Sequence, residues 1–197
     1  MSRDALYINN TGFPADAGGP RRLPRSGEYA ALLRRLFRSH TALAVVGIGP
    51  NSRSVEAVKG IASELGSSGY RVVVVTAESL LRADAPSVTT GYRTGAAANV
   101  WFWPDGSDAP AGDFEDAQEP RFESDWLGYL CREFDMVLLD CPAIDTSPAA
   151  PEIAAMADAA VLVVEAGRTP KERIQHAQRT LELSGVKLAG SILMQRR

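Results

Sequence analysis

The sequence has few of the residues from which metal centres and disulfide scaffolds are built. Its 197 residues include only two cysteines, Cys131 and Cys141, and two histidines, His40 and His176. Neither pair has the spacing of metal ligands, so we expect neither a zinc site nor a disulfide framework. Because so low a cysteine content is typical of a reducing compartment, we expect the protein to be cytoplasmic.

Long apolar runs and a strong net charge are also missing. No stretch approaches the roughly 18 apolar residues of a membrane span, and the N-terminus lacks the apolar core of a signal peptide. The net charge of −3 gives no overall attraction to nucleic acid, and the 45% hydrophobic content is ordinary. We therefore expect a soluble chain of one domain that does not bind nucleic acid.

Three segments differ from the rest in composition. Residues 1–27 contain Gly, Pro and Arg without periodicity, which predicts a flexible basic arm. Residues 28–38 place apolar side chains on one helical stripe and arginines on the other side, which predicts an N-terminal helix. Residues 104–124 form a long irregular segment that is acidic, with Arg121 as its only cation, which predicts a solvated acidic loop.

The basic residues of the segment 21–38 allow two interpretations. One is a helix that packs on the core and leaves a solvated basic face. The other is contact with an acidic partner or with anionic lipid, which would place the protein peripherally at the inner face of the plasma membrane.

From Ala42 onward, apolar strands alternate with helical stretches. The strand candidates are residues 42–47, 71–76, 99–103, 135–140, 159–165 and 187–194. Helices are predicted near residues 54–66, 123–133, 148–156 and 170–184. Strands that are apolar almost throughout are expected in a parallel sheet with both faces covered. The alternation predicts a single doubly wound α/β domain over residues 28–197, mostly parallel and flanked by helices, with its site at the carboxyl ends of the strands.

The turn between the first strand and the first helix of this domain has the layout of a phosphate-binding loop. Such a loop directs backbone N–H groups at an anion, a Lys reaches the outer phosphates, and a Ser or Thr hydroxyl helps to hold magnesium. The segment GIGPNSRS keeps the spacing from Gly47 to Ser54, but Ser52 and Arg53 replace the Gly and the Lys. Because Ser adds a side chain where phosphates approach, we expect only weak anion binding.

The same letters form a loose dinucleotide fingerprint, Gly47-x-Gly49-x-x-Ser52, whose third Gly is missing. The acidic residue that would hold a ribose, Glu78, follows Gly47 by about thirty residues instead of the roughly twenty expected. A dinucleotide-binding Rossmann enzyme is therefore a less favoured alternative.

A second feature lies further along the chain, where the apolar strand FDMVLLD ends in Asp140. An Asp at the carboxyl end of such a strand lies beside the phosphate loop and orients the magnesium shell. A helix or turn cap is the structural alternative. Because residues 47–54 supply a loop beside it, we favour the functional position, with Ser54 and Asp140 as metal ligands if a magnesium nucleotide binds.

These features together resemble a known family. Over roughly residues 28–194 the chain is similar to the cytoplasmic domain of the bacterial tyrosine autokinases that act in capsular and exopolysaccharide synthesis. That domain belongs to the deviant P-loop ATPases, a group that includes the ParA and MinD proteins. The resemblance depends on the order and spacing of four segments, which are the helix before the loop, YRVVVVTAES, FDMVLLDCPA and ADAAVLVVEAGRTPKERIQHAQRTLELSGVKLAGSIL.

The resemblance implies a P-loop NTPase-like fold that binds ATP or ADP with magnesium. It also implies docking onto a membrane-anchored polysaccharide chain-length regulator or another export-system protein, and self-assembly into a homo-oligomer through the first helix. The residues that would hold the nucleotide are Gly47, Gly49, Ser52, Arg53, Ser54 and Asp140.

The sequence departs from the family at nearly every catalytic point. Arg53 stands in place of the loop Lys, and the second strand ends in Thr76-Ala77-Glu78 instead of Asp-x-Asp. Cys141 stands where the family usually has Thr, and Met194 stands at the position of the Asn that helps to read adenine. No tyrosine cluster precedes the last residue, Arg197, and the first helix keeps only part of the family's assembly motif.

We therefore expect a catalytically degenerate relative that acts as a binding or regulatory subunit in bacterial exopolysaccharide biosynthesis and export. The alternative is a weak magnesium- and ATP-dependent ATPase or tyrosine kinase of the same family. No residue is assigned as catalytic, and Asp140 is the candidate if the protein is active. Binding of ATP or ADP with magnesium is expected to be weak or absent.

Overall fold

One eight-stranded sheet organises the part of the chain that the structure describes. The structure is a computed structural model, and it describes residues 6–9, 40–50, 52–76, 93–95, 97–103 and 126–195. The strands are β1 (Leu6–Asn9), β2 (Ala42–Gly47), β3 (Val72–Thr76), β4 (Arg93–Thr94), β5 (Val100–Phe102), β6 (Met136–Cys141), β7 (Ala159–Glu165) and β8 (Leu188–Met194). Their order across the sheet is β1-β8-β7-β2-β6-β3-β5-β4.

The six inner strands, from β8 to β5, all run parallel. The two edge strands, β1 and β4, pair antiparallel with their neighbours. The described helices are α1 (Ser54–Ser67), α2 (Trp126–Glu133), α3 (Ala149–Ala155) and α4 (Lys171–Leu183). None of these four combines the length and the apolar character that a membrane crossing requires. The doubly wound, mostly parallel α/β fold predicted from the sequence is confirmed.

The inner strands are apolar over most of their length because helices cover both faces of the sheet. All six residues of β2 are buried, and the first five alternate between two core clusters on opposite faces. On one face the core is completed by α1. On the other it is completed by α2, α3 and α4, through Leu130, Ile153 and Leu181. The sheet is therefore a rigid layer between two apolar cores, and its strand ends hold the loops in fixed places.

The structure differs from the predicted flexible arm, residues 1–27, at one place. Residues 6–9 form β1 and pair with β8, so the prediction is wrong for these four residues. The unpaired N–H and C=O groups along an exposed edge strand accept another strand, and a four-residue segment among Gly, Pro and Arg gives no periodic signal. The rest of the arm, the predicted helix 28–38 and the predicted acidic loop 104–124 lie outside the described residues.

The central strands are predicted to carry the stability of the domain. Leu138 of β6 has none of its surface exposed, whereas 90% of Leu183, at the end of α4, is exposed. Leu138→Ala should lower the free energy of unfolding by about 2–5 kcal/mol, because it leaves a cavity in the core. The matched change Leu183→Ala should alter it by less than about 0.5 kcal/mol. Urea denaturation measures both, and equal effects would contradict the described packing.

Candidate functional site

The site lies where the carboxyl ends of neighbouring parallel strands meet. The central strand β2 ends at Gly47, directly before the loop that leads into α1, and lies between β7 and β6. Asp140 of β6 pairs in register with Val45 of β2 and with Thr76 of β3. The structure thus brings the predicted loop and the predicted carboxylate to one edge, where open α/β sheets bind ligands.

Ser54 and Asp140 form a buried polar pair at this edge. They are the buried polar residues of the described chain, with 6% and 9% of their surface exposed. The Ser54 hydroxyl lies near enough to the Asp140 carboxylate to act on its pKa as a hydrogen-bond donor. The Oδ1 atom of Asp140 is buried and accepts no hydrogen bond within the described ranges. A hydroxyl oxygen and a carboxylate oxygen that accepts no hydrogen bond are ligands that suit magnesium.

Burial changes the titration of two neighbouring residues at the end of β6. It raises the pKa of Asp140 to about 6, an effect that the Ser54 hydrogen bond and the charge of Lys59 oppose only in part. Burial also raises the pKa of the Cys141 thiol to about 12, and the Asp140 charge adds to that effect. Because the thiolate is the reactive form of cysteine, Cys141 contributes packing here, not a nucleophile.

The space above Gly47 is filled by another residue of the same loop. A Cβ placed on Gly47 would overlap the Ser52 side chain and would touch Ser54 Cβ at 3.4 Å. Gly47 is therefore required by a close approach, and the group that approaches is the Ser52 hydroxyl. The Gly of the family pattern at position 52 has no side chain to place there.

Two N–H groups of the loop, those of Gly49 and Ser52, are engaged by the protein itself. Gly49, with φ of 91°, donates its N–H to Asp145 Oδ1 at 2.7 Å. Pro50 has no N–H to donate. The Ser52 N–H donates to the Gly49 carbonyl at 3.0 Å, which closes a β-turn. Asn51 lies outside the described residues. Phosphate loops bind by directing such N–H groups at the anion, and these donors are directed elsewhere.

Arg53, which replaces the loop Lys, is held by contacts within the protein. It is the N-cap residue of α1, and its guanidinium forms an ion pair with Glu56 in the first turn of that helix. Its Nη1 donates to the Gln195 carbonyl at 3.1 Å. Only 24% of the Arg53 side chain is exposed. The cation thus joins the start of α1 to the end of β8 and neutralises a carboxylate of the helix.

Two further positions of the family's nucleotide site have side chains without the expected chemistry. Met194, at the end of β8, is 2% exposed and packs in the core cluster beneath α1. A thioether cannot donate the hydrogen bonds that an Asn side chain provides. Thr76 ends β3 beside Asp140 and has no carboxylate for a metal. Ala77 and Glu78 lie outside the described residues.

Two charged residues at this edge were not predicted from the sequence. Asp145 lies on the segment after β6, accepts the Gly49 N–H, and forms an ion pair with Arg173 in the first turn of α4. A cavity of about 140 Å³ lies between the loop and the β7–α4 turn, and Arg168 and Arg173 line it. A signal for Asp145 was present, because it follows the same strand end as Asp140.

The fold is shared with proteins of known structure. The chain is similar to the BceF tyrosine kinase domain, with 20% identity and a TM-score of 0.66 over 85% of this chain and 75% of that one. It is also similar to the kinase domain of the Escherichia coli tyrosine kinase ETK, with 17% identity and a TM-score of 0.64 over 80% of this chain and 69% of that one. A third similar structure is the septum site-determining protein MinD from Pyrococcus horikoshii, complexed with Mg-ADP, with 16% identity and a TM-score of 0.55 over 76% of this chain and 68% of that one. No protein-family model and no curated protein matches the sequence.

These likenesses, at 20% identity or less, establish the fold. The described chain has the doubly wound fold of bacterial tyrosine kinase domains and of MinD, so the resemblance inferred from the sequence is confirmed at that level.

The residues at this edge fit the metal ion of a magnesium nucleotide but not its phosphates. Ser54 and the unused oxygen of Asp140 suit the ion. The filled loop and the internally paired Arg53 do not suit the phosphates as they stand. Within the described ranges, no group of three or more His, Cys, Asp or Glu side chains could hold a metal ion. A metal here would therefore depend on oxygens supplied by its ligand.

Asp140 is predicted to make the stability of the protein depend on pH. With a pKa of about 6 in the folded state and 3.8 in the unfolded state, the buried carboxylate destabilises the fold once it is ionised. Asp140→Asn should therefore be more stable than the parent at pH 7 by up to about 3 kcal/mol, from roughly 1.4 kcal/mol per unit. The difference should shrink as the pH falls from 6 to 4, because Asp140 of the folded parent is then protonated while the pH approaches the unfolded pKa of 3.8. Denaturant titrations at several pH values measure it, and a difference that does not change with pH would contradict the described burial.

Proposed function

We propose that this protein is a catalytically degenerate relative of the bacterial tyrosine autokinases. It acts as a binding or regulatory subunit in exopolysaccharide biosynthesis and export. The observation that carries the proposal is the engagement of the loop within the protein. The Ser52 side chain covers Gly47, the Gly49 N–H is bonded to Asp145, and Arg53 is paired with Glu56.

The losses affect the groups on which phosphoryl transfer depends. Catalysis of this reaction is mostly positioning and electrostatic stabilisation of the phosphates by a Lys, a metal and backbone N–H groups. Removing one such stabilising donor typically costs about 10²–10³ in rate. In this chain Arg53 stands in place of the Lys, and its guanidinium is paired with the Glu56 carboxylate. Several losses of this kind at one site support a protein without kinase activity.

The retained features support a role in binding. The two cores and the parallel sheet hold the loops at its edge in a rigid surface. Such a surface can bind a partner without catalysing a reaction. We propose a cytoplasmic protein that contacts a membrane-anchored polysaccharide chain-length regulator or another export-system protein. Peripheral contact with the inner face of the plasma membrane and homo-oligomer formation belong to the same proposal. The partner and the assembly are inferred from the family resemblance.

Calorimetric titration with Mg-ATP tests the loss of function. We expect no affinity tighter than about 1 mM and no hydrolysis above that of buffer, since Arg53 and the N–H groups of Gly49 and Ser52 are engaged elsewhere. Sub-millimolar affinity together with measurable hydrolysis would overturn the proposal. The Escherichia coli kinase domain, which shares the fold, is a suitable positive control for the assay.

One observation favours a second function, that of a weak magnesium nucleotide binder. The buried Asp140 Oδ1 has no hydrogen-bond partner in the described chain, and it lies beside the Ser54 hydroxyl. A buried oxygen of this kind is costly unless something binds to it. With Mg-ADP, Ser54 and Asp140 would hold the ion and Arg53 would leave Glu56 for a phosphate. No observation of the described residues favours a dinucleotide enzyme.

Thermal shift measurements separate the two functions. If the protein binds Mg-ADP, the melting temperature should rise with ligand, and Arg53→Ala should abolish the rise because the variant lacks the phosphate cation. Lys187→Ala removes an exposed cation at the opposite end of the sheet and is the matched control. A rise that is equal in the parent, the Arg53 variant and the Lys187 variant would show that Arg53 is not a ligand. The absence of any rise would favour the degenerate protein.

A further inference from the structure

The Asp145 carboxylate lies at the mouth of the loop and has both oxygens engaged. Its Oδ1 accepts the Gly49 N–H at 2.7 Å, and its Oδ2 pairs with the guanidinium of Arg173. The Asp145 side chain is 16% exposed, although Arg173 is 51% exposed. The carboxylate therefore connects the loop to α4 at a largely covered position.

Neighbouring backbone contacts hold Asp145 in this place. The Ile144 N–H donates to the Gly47 carbonyl at 3.0 Å, so the segment after β6 continues beside the start of the loop. The Thr146 hydroxyl donates to the Ala143 carbonyl at 3.1 Å, which tightens the turn that follows. Asp145 is thus presented to Gly49 by its own backbone and does not reach it from a distant flexible segment.

The surroundings of this carboxylate suit a small anion. The cavity beside it has a volume of about 140 Å³, and its lining includes Gly49, Arg168, Arg173 and one acidic residue, Glu165. Arg168 is paired with Glu165 at 3.7 Å, and 60% of its side chain is exposed. A backbone N–H and two guanidinium groups at one cavity are groups that proteins use to bind phosphate. Here the anion already present is a side chain of the protein.

We propose that Asp145 is a built-in anion that closes the loop, and that a ligand phosphate group must displace it from Gly49 and Arg173 before it can bind. This regulation concerns the site of the proposed function and rests on it. Only molecules in which the carboxylate has moved away can bind phosphate. The apparent affinity is therefore the intrinsic affinity multiplied by the fraction of such molecules. A change of the Asp145 environment, by a partner or by a variant, would open the loop.

Titration with inorganic pyrophosphate, followed by calorimetry, tests the proposal. Asp145→Ala should bind pyrophosphate at least about tenfold more tightly than the parent, because the internal competitor is gone. The double variant Asp145→Ala/Arg173→Ala should lose this gain, since the freed guanidinium is what the ligand would use. Equal affinity of the parent and Asp145→Ala would overturn the proposal.

Asp135 provides a matched control at the opposite end of the sheet. It also accepts one backbone N–H and one guanidinium, at 2.8 Å and 3.3 Å, and both come from Arg71. Asp135→Ala removes the same charge and should leave pyrophosphate affinity within about twofold of the parent, because global charge acts weakly in salt. A similar gain in the Asp135 and Asp145 variants would assign the effect to net charge and overturn the proposal.

Asp145→Asn covers the case in which the alanine variant does not fold. It keeps an oxygen for the Gly49 N–H but removes the ion pair with Arg173, so a smaller gain is expected. Folding of every variant is checked by circular dichroism, and no gain in a folded Asn variant would also overturn the proposal. The outcome is separate from the proposed function. Hydrolysis of Mg-ATP by the parent would overturn the proposed function. Equal pyrophosphate affinities of the parent and Asp145→Ala would overturn only the proposal that Asp145 competes with phosphate.

Discussion

The chemistry of this protein depends on where the N–H groups of one loop make their hydrogen bonds. A buried N–H needs a partner, and in a phosphate loop that partner is the ligand. In this chain Gly49 donates to Asp145, Ser52 donates to the Gly49 carbonyl, and Pro50 has nothing to donate. The same atoms cannot satisfy the fold and bind a phosphate at the same time. A working P-loop and a loop that is stable by itself are therefore alternatives, and we propose that this chain has the second.

The charged groups around the loop follow the same pattern. Arg53 neutralises Glu56, and Arg173 neutralises Asp145. In a working site of this fold, the cations would meet the charge of a nucleotide. Asp140 is the exception, because one of its oxygens is buried without a partner in the described chain and its pKa is raised by burial. It is the part of the site that still suits a ligand, and it is costly to the fold for that reason.

Most of the fold followed from the sequence, because near-continuous apolar strands alternating with helical stretches allow few other architectures. The inner strands and the four described helices lie within a few residues of their predicted positions. The edge strands β1 and β4 were missed, since two to four residues show no periodicity. The spacing and the strand position predicted that Ser54 and Asp140 lie at one edge of the sheet, and the structure places both there. Asp145 and Arg173 were missed, because their meeting depends on how the segment after β6 folds back onto Gly49, a tertiary contact without a local pattern.

The central claim is that the loop is closed by groups of the protein itself. Its most direct test is to follow the backbone amide resonances of Gly49, Ser52 and Ser54 by nuclear magnetic resonance during titration with Mg-ADP. We predict that the shifts of these resonances do not approach saturation up to about 1 mM ligand, since a dissociation constant weaker than that leaves most molecules unbound. Saturable shifts confined to these amides would mean that the loop opens to phosphate under ordinary conditions, and would contradict the claim.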